Sequence, residues 1–487
     1  MQSFTTITLG CKVNQYETTS ISQSLAQLGL LAEDKNSYQK PDLVVINTCC
    51  VTATAMHKSR QAIRRALRRW PGAALLITGC YCDYDAPRLV ELLTGFQPPP
   101  QRVFIAGHQG DLTACLEQIG LLAVAGQTSA GSRAGPFSQD NLVENSLACP
   151  PADTFIIRPT PDHQVKSTVR AAAGTQLDHF PDHQRAFVKI QDGCDAGCTY
   201  CVVRLVRRSI WSRPADQVVQ ECRRLVARGH REIVLCGISL GAYGRDTTLR
   251  CKWTGPSPLA GLIRQVAKID GLWRLRLSSI EPADLDDRLL ETCLDTPNLA
   301  PHFHIPVQSG SDRILRRMNR QYSTEQVCKL TDRLKNAFDR PAITTDIIVG
   351  FAGEGEEDFS ASLELARRVV FSKIHAFPFS PMPGTAAWGW RAQMPPPAEV
   401  RARLARLVEV EKQLADEYAG SFIGNTLSAL VEKVLAPNGS NLRVAKAMSD
   451  RYLSISFPAG SAKPGQVVSL KILSRDDRGL VGTLIDY

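Results

Sequence analysis

Four short apolar runs, at residues 4–9, 43–47, 74–78 and 103–106, punctuate the first 119 residues, and amphipathic stretches of helical period lie between them. Alternation of this kind predicts an open parallel sheet with helices on its faces. Residues 120–185 lose this periodicity. Gly, Ala, Ser, Pro, Asp and His dominate there, as in a partly disordered linker or insertion, and the similar fragments Pro161-Asp162-His163-Gln164 and Pro181-Asp182-His183-Gln184 fall in it. The alternation resumes over 186–394. Strand-like runs at 187–191, 232–237, 273–279, 302–307, 342–350 and 373–379, separated by helical patterns, predict a partial (β/α)6 barrel open on one side. Pro395-Pro396-Pro397 stops the barrel, and a charged amphipathic helix at 399–418 fills a connecting segment, 395–420. Residues 421–487 are strand-rich, with turn signals at Pro437-Asn438-Gly439 and Pro464-Gly465, and read as a small β-barrel. The predicted class is α/β with that β-barrel appended.

Composition narrows this picture. With 487 residues, 44% of them hydrophobic and 22% charged, the chain is an ordinary soluble type of more than one domain. No apolar run is long enough to span a bilayer, and Met1-Gln2-Ser3-Phe4-Thr5-Thr6 has no signal-peptide character. A cytoplasmic, reducing location without a membrane partner is the expectation. Its 15 cysteines are then poor candidates for disulfides. Cys222, Cys236, Cys293 and Cys328, set in helix or strand patterns, read as small buried hydrophobes.

The net charge of +9 hints at a polyanionic partner. Lys58, Arg60, Arg64, Arg65, Arg68 and Arg69 crowd one predicted helix with no acid among them, while Ile63, Leu67 and Trp70 form its apolar side. A solvated face is the bland reading of a charge run, but this bias favours phosphate contact. The last segment carries eight Lys and Arg against five acids, a balance compatible with RNA.

Two sets of cysteines carry the candidate chemistry. Cys194, Cys198 and Cys201 follow directly on the strand-like run at 187–191. A loop of that spacing can hold three irons of an iron–sulfur cube and leave the fourth open to a small molecule, the arrangement of enzymes that cleave S-adenosylmethionine reductively. Cys11, Cys49 and Cys80 each lie just past a predicted strand, on the carboxyl edge where open α/β sheets bind ligands. Thiolates converging there suit a second iron–sulfur cluster or a zinc ion. Cys50 and Cys82 stand beside two of these positions and compete for the assignment. His163, His179 and His183 are weaker metal candidates, since loop histidines are usually solvated.

An ordered series of motifs then adds a resemblance. Thr8-Leu9-Gly10-Cys11-Lys12-Val13-Asn14-Gln15-Tyr16-Glu17, Val45-Ile46-Asn47-Thr48-Cys49 and Thr78-Gly79-Cys80-Tyr81 precede the cysteine loop. Leu240-Gly241-Ala242-Tyr243-Gly244, Arg276-Leu277-Ser278-Ser279-Ile280-Glu281-Pro282, His304-Ile305-Pro306-Val307-Gln308-Ser309-Gly310-Ser311 and Asp346-Ile347-Ile348-Val349-Gly350-Phe351 follow it. Outside 120–185 the chain resembles the methylthiotransferase family of radical S-adenosylmethionine enzymes, in particular its MtaB-like branch.

The resemblance implies an N-terminal methylthiotransferase domain, a central radical SAM barrel and a C-terminal TRAM-like, RNA-binding barrel. It implies addition of a methylthio group at C2 of N6-threonylcarbamoyladenosine, next to the tRNA anticodon. Cys194, Cys198 and Cys201 would hold the [4Fe–4S] cluster that cleaves S-adenosylmethionine to a 5′-deoxyadenosyl radical. Cys11, Cys49 and Cys80 would hold a second, sulfur-delivering [4Fe–4S] cluster. Tyr200 would pack near the cofactor adenine and Gly237 near its amino-acid end, while Glu281, Gln308 and Asp346 would give polar contacts to cofactor or substrate. The partners implied are the tRNA anticodon stem-loop and an electron donor such as flavodoxin or ferredoxin, with the sulfur source open.

The chain departs from the family pattern at Arg204 and Arg208, where Pro and Gly are common, at Ala352, where Pro is usual, and at Cys50, where Thr is usual in the branch. Sibling activities on isopentenyladenosine in tRNA or on a ribosomal-protein aspartate are the near alternative. A non-catalytic, metal-stabilised RNA-binding protein is the distant one, since it needs neither the intact cysteine loop nor the motifs after it.

Overall fold

The computed structural model describes residues 2–33, 40–96, 102–107, 154–157, 177–181, 183–253, 255–435 and 443–485. It divides into two compact units, Met1–Leu177 and Asp178–Tyr487.

The first unit is a parallel sheet of β1 (Ser3–Thr8), β2 (Leu31–Ala32), β3 (Leu43–Thr48), β4 (Ala74–Gly79), β5 (Val103–Ala106) and β6 (Thr154–Ile157), in the order β2-β1-β3-β4-β5-β6. Helices α1 (Lys12–Gln27), α2 (Ala53–Arg69) and α3 (Cys80–Thr94) follow β1, β3 and β4. Strands β3 and β4 are buried at every position, so each reads as an unbroken apolar run rather than an alternation. Phe4, Leu25, Val45, Leu76 and Phe104 form the core on one face.

Two strands escape sequence patterning. Strand β2 is too short to show a period. Strand β6 lies inside 120–185, the segment whose composition reads as linker, yet it joins the sheet in register, Val103 opposite Thr154. A four-residue strand borrows its order from the ladder beside it, which window-averaged composition cannot register. The rest of that segment as far as residue 176, with His163, lies outside the described residues, as does Asp182.

In the second unit, β7 (Arg185–Asp192), β9 (Glu232–Gly237) and β10 (Arg274–Leu277) form one parallel set, and the two-residue β8 (Trp211–Ser212) adds antiparallel to β7. Strands β11 (His302–His304), β12 (Ala342–Val349) and β13 (Lys373–Pro378) form another. Bridges Leu275–Leu299 and Ser279–His304 join the two sets into a single arc of six parallel strands. The arc is the open half-barrel that six βα units predict. Strands β10 and β11 are shorter than their apolar runs; beyond them only single contacts continue the pairing, such as Ser278 N–H to Leu235 O (2.9 Å) and Ile305 N–H to Thr344 O (2.8 Å), and Pro306 has no N–H to give. Cys222, Cys236 and Cys293 are buried as read, and Cys328 is half-buried.

The helix Pro397–Gly420 begins with Pro at its first position and leads to a closed barrel. Its strands, β14 (Thr426–Leu435), β15 (Val444–Ser449), β16 (Ser454–Pro458), β17 (Val467–Asp476) and β18 (Gly479–Leu484), pair in the order β14-β15-β16-β18-β17. The turn signal at 437–439 lies outside the described residues.

This barrel docks on the amino-terminal end of the arc through buried charges. Glu232, 0% exposed, accepts from Arg276 Nε at 2.8 Å and Arg274 Nη1 at 3.1 Å. The two guanidinium groups also donate to the carbonyls of Asp450 (2.9 Å), Ser449 (3.2 Å), Met448 (3.3 Å) and Ser428 (3.2 Å). Burial opposes the charge on Glu232, but Arg276 and Arg274 prevail and hold its carboxyl below the usual range.

Candidate active site

At the carboxyl ends of β1, β3 and β4 the chain turns into helices, and three cysteines stand at those turns. Cys11 is the N-cap of α1, Cys49 follows β3, and Cys80 opens α3. Gly79 has φ +94°, and a Cβ there would collide with Asn47 Oδ1 and the Thr48 backbone, so only glycine lets β4 end this close to β3. A Cβ on Gly10 would stand 3.1 Å from Cys49 Cβ, which puts the Cys11 turn beside Cys49.

A buried polar knot ties these ends together. Asn14 Nδ2 donates to Leu9 O (2.9 Å) and Thr48 O (3.1 Å), and the Cys11 thiol donates to Asn14 Oδ1 (3.5 Å). Asn47 Nδ2 donates to Asn14 O and to Thr18 Oγ1, both at 3.1 Å. Ser59 Oγ accepts from Cys49 N–H (3.2 Å) and donates to Cys49 O (3.0 Å). Cys50 and Cys82 are buried beside this corner. Burial, then the charge of Asp83, pushes the Cys82 thiol far above its ordinary range, so it stays neutral in the protein alone.

In the second unit, the loop after β7 is pinned along its length. Asp192 is buried and gathers Lys189 Nζ (2.6 Å), Arg207 Nη1 (2.8 Å) and Gly193 N–H (2.8 Å). Arg207 O in turn accepts from Cys194 N–H at 3.1 Å. Asp195 accepts from Thr248 Oγ1, from Thr247 Oγ1 (2.7 Å) and from Thr248 N–H (2.8 Å). Desolvation works against its charge, but these hydrogen bonds prevail and lower its carboxyl pKa. Asn319 Nδ2 donates to Gly197 O (3.0 Å), and Thr199 donates through N to Met318 O (3.1 Å) and through Oγ1 to Arg317 O (2.9 Å).

Donors also face the sulfurs. Cys194 Sγ accepts from Ala196 N–H (3.4 Å) and lies 3.6 Å from Thr248 Oγ1, and Cys198 Sγ accepts from Arg320 Nη1 (3.2 Å). Arg320 is held by an ion pair with Glu281 and donates through Nε to Tyr322 OH at 2.8 Å. Burial pushes the Cys194 thiol up, and burial with the nearby Cys198 pushes Cys201 up to about 12. Cys194 and Cys201 therefore resist ionisation until a cation binds, while N–H groups and a guanidinium face the sulfurs of this tight loop. That donor set fits a cysteine-ligated iron–sulfur cluster.

The other residues singled out from sequence spread around this loop. Tyr200 packs edge-on against Phe351 at 6.4 Å and its hydroxyl lies 3.5 Å from Arg320 Nη1. Gly237 stands opposite Gln191 at the end of β9, where an added Cβ would lie 3.0 Å from Gln191 Cβ. Glu281 meets the cysteine loop through Arg320. Gln308, at φ +70°, exchanges backbone hydrogen bonds with β12: its N–H donates to Asp346 O (2.8 Å) and its O accepts from Ile348 N–H (2.9 Å). Asp346 points its carboxylate at His304 Nε2, 3.3 Å away. His179 and His183 sit not at the cysteines but around His230, on the amino-terminal side of β9.

Sequence reasoning missed Asn14, Asn47, Asp192 and Arg320 as positioning residues. Asn14 and Asn47 lie within quoted motifs, and their signal is a polar residue where the local pattern demands an apolar one. Arg320 is 119 residues from Cys201 and leaves no local signal. Of the two arginines that break the family pattern, Arg204 and Arg208 are both exposed. The buried cation of that segment is Arg207.

Family models match on both units: the radical SAM superfamily over residues 188–366, and the uncharacterized protein family UPF0004 over residues 3–96. The chain is 32% identical to the threonylcarbamoyladenosine tRNA methylthiotransferase MtaB of Bacillus subtilis, over 96% of this chain and 92% of that one. It is 31% identical to the tRNA-2-methylthio-N(6)-dimethylallyladenosine synthase of Maricaulis maris, over 98% and 96%. Among solved structures, the radical S-adenosylmethionine methyltransferase TsrM of Kitasatospora setae shares the fold, with a TM-score of 0.51 at 14% identity, covering 80% of this chain and 74% of that one.

Proposed function

The chain belongs to the methylthiotransferase family of radical S-adenosylmethionine enzymes, and on that premise we propose that it adds a methylthio group at C2 of N6-threonylcarbamoyladenosine beside the tRNA anticodon. Its cofactors are two [4Fe–4S] clusters and S-adenosylmethionine. The observation that carries the reading is the pinned triad Cys194, Cys198 and Cys201 beside Arg320, in a chain whose similarity to such an enzyme runs nearly end to end.

Cys194, Cys198 and Cys201 hold one cluster in this reading, and Cys11, Cys49 and Cys80 the other. When bound, the cofactors supply reductive cleavage of a sulfonium bond and the sulfur that is transferred. The protein's part is placement. The Asp192 and Asp195 networks fix the loop before any ligand arrives, so little ordering is left to do on binding. Arg320 satisfies Cys198 Sγ and keeps its own charge paired with Glu281. The Asn14–Asn47 knot holds three strand ends in one corner of the first unit.

For the RNA, Lys58, Arg64, Arg65, Arg68 and Arg69 are exposed on α2, whereas Arg60 donates to Tyr81 OH at 2.9 Å. The count of eight cations in the last segment overstates what that barrel can offer. Arg451 is committed to Asp450, at 2.5 Å, and to the Asp339 carbonyl, at 2.8 Å, and Arg475 is paired with Asp416. Lys433, Arg443, Lys463, Lys471 and Arg478 are exposed.

A strain lacking the gene, complemented with wild type, Cys198→Ala or Cys49→Ala, tests the proposal by mass spectrometry of tRNA nucleosides. Wild type restores the methylthio form of threonylcarbamoyladenosine and neither variant does. In vitro, Cys49→Ala retains some cofactor cleavage and Cys198→Ala retains none. Appearance of methylthio-isopentenyladenosine instead would move the substrate to the sibling activity, a reading favoured by the nearly equal identity to the dimethylallyladenosine synthase.

A further inference from the structure

We propose that His304, Asp346 and His375 form a mononuclear divalent-metal site of the zinc class, separate from both sets of cysteines. The three side chains come from adjacent parallel strands, β11, β12 and β13, with Asp346 directly opposite His375 in the ladder. One ligand atom from each lies within 4.8 Å of the others.

The spacing suits two ligands of one ion as well as a long hydrogen bond. His304 Nε2 and Asp346 Oδ2 stand 3.3 Å apart, longer than a charge-assisted hydrogen bond of about 2.7–2.9 Å. It matches the edge of a tetrahedron, about 3.4 Å, built on zinc bonds of about 2.0–2.1 Å. His304 Nδ1 is engaged with Thr344 Oγ1 at 2.9 Å. In the tautomer with Nδ1–H donating there, Nε2 presents its lone pair beside Asp346 Oδ2, as a ligating imidazole requires. An outer hydrogen bond that sets the tautomer of a ligating imidazole is the usual support of a metal site.

The scaffold is preformed. Alternation along β12 puts Thr344, Asp346 and Ile348 on one face, and Ile348 packs against the same apolar cluster as Tyr200 of the cysteine loop, so this face is the one turned toward that loop. The site lies two residues nearer the strand start than Ile348. Two imidazoles and one carboxylate suit zinc, and three protein ligands leave a fourth position for water. His375 is exposed on the edge strand, which gives a metal a way in.

The test uses the full chain with both clusters assembled, loaded with zinc, desalted, and read by metal analysis and zinc-edge X-ray absorption. The expected result is about one zinc per chain with nitrogen and oxygen neighbours near 2.0–2.1 Å. His375→Gln, at an exposed position, lowers retained zinc at least tenfold with iron and sulfide unchanged. The proposal is overturned if wild type keeps no zinc, if the neighbours are sulfur at about 2.3 Å, or if His375→Gln holds as much zinc as wild type. None of these readouts involves tRNA, so the site can fail while the proposed reaction stands, and the reverse.

Discussion

Replacing Glu232 by Gln keeps the shape of a fully buried carboxylate and removes its charge. Arg274 and Arg276 then remain inside, with backbone carbonyls of the C-terminal barrel as their main partners. Arg276 is 1% exposed, so water cannot take over. Breaking one side of a buried ion pair costs roughly 3–5 kcal/mol. Unfolding entropy of about 2.1 cal/mol/K per residue gives about 0.65 kcal/mol/K for a unit of this size, so the midpoint of its thermal transition falls by about 5–8 °C.

The loss should be local at first. Amide exchange should rise at 448–450 and 428, where the barrel accepts from the two arginines, before it rises along β7 and β9. Glu232 opens β9 at the end opposite the cysteine loop, so the visible absorption of the reconstituted cluster should be unchanged. A melting shift below about 2 °C, or exchange that rises first at 194–201, would refute the reasoning: the charge network would then not be what fastens the barrel to the arc.

Three further outcomes are expected. Asn14→Ala strands the Leu9 and Thr48 carbonyls, costs about 1–3 kcal/mol, and lowers iron to the content of the cluster at 194–201 alone, which iron counting against Cys198→Ala checks. His230 accepts from Phe180 N–H at 3.1 Å, and burial, together with nearby His179 and His183, outweighs the hydrogen bond to Gln184 O and lowers its pKa below 6.5. It therefore binds fewer protons folded than unfolded: its contribution is complete above pH 6.5 and is lost as pH falls through the folded value. Protection of the Phe180 amide, corrected for intrinsic exchange, should drop between pH 7.5 and 5.5 in wild type and be low at both in His230→Phe. Arg64→Ala, Arg65→Ala and Arg68→Ala together should flatten the salt dependence of tRNA binding by a slope of about 2–3, and an unchanged slope would remove α2 from the RNA surface.

What could be read before folding followed from how each feature is encoded. Strands β3, β4, β7, β9 and β12 announce themselves because their burial is continuous or alternating over several residues. The cysteine loop is legible because its ligands are close in sequence. Strand β6 is hidden because four residues carry no period, and the floor of the arc is hidden because Glu232, Arg274 and Arg276 look like ordinary surface charges until the C-terminal barrel covers them. The same holds for the eight cations of that barrel, whose number is a property of composition but whose availability depends on what Asp450, Asp339 and Asp416 take.

Local order in the chain, then, determined the parallel sheet, the six βα units, the small barrel and the two sets of cysteines, because periodicity, turn residues and short ligand spacings act within a few residues. Only the tertiary structure decided which charges face inward and what each carboxylate serves. Arg320 reaches Cys198 from 122 residues away, Glu281 pairs with that arginine, and Asp346 joins His304 and His375 across three strands. Such groupings depend on strand order and register, which no stretch of sequence contains by itself.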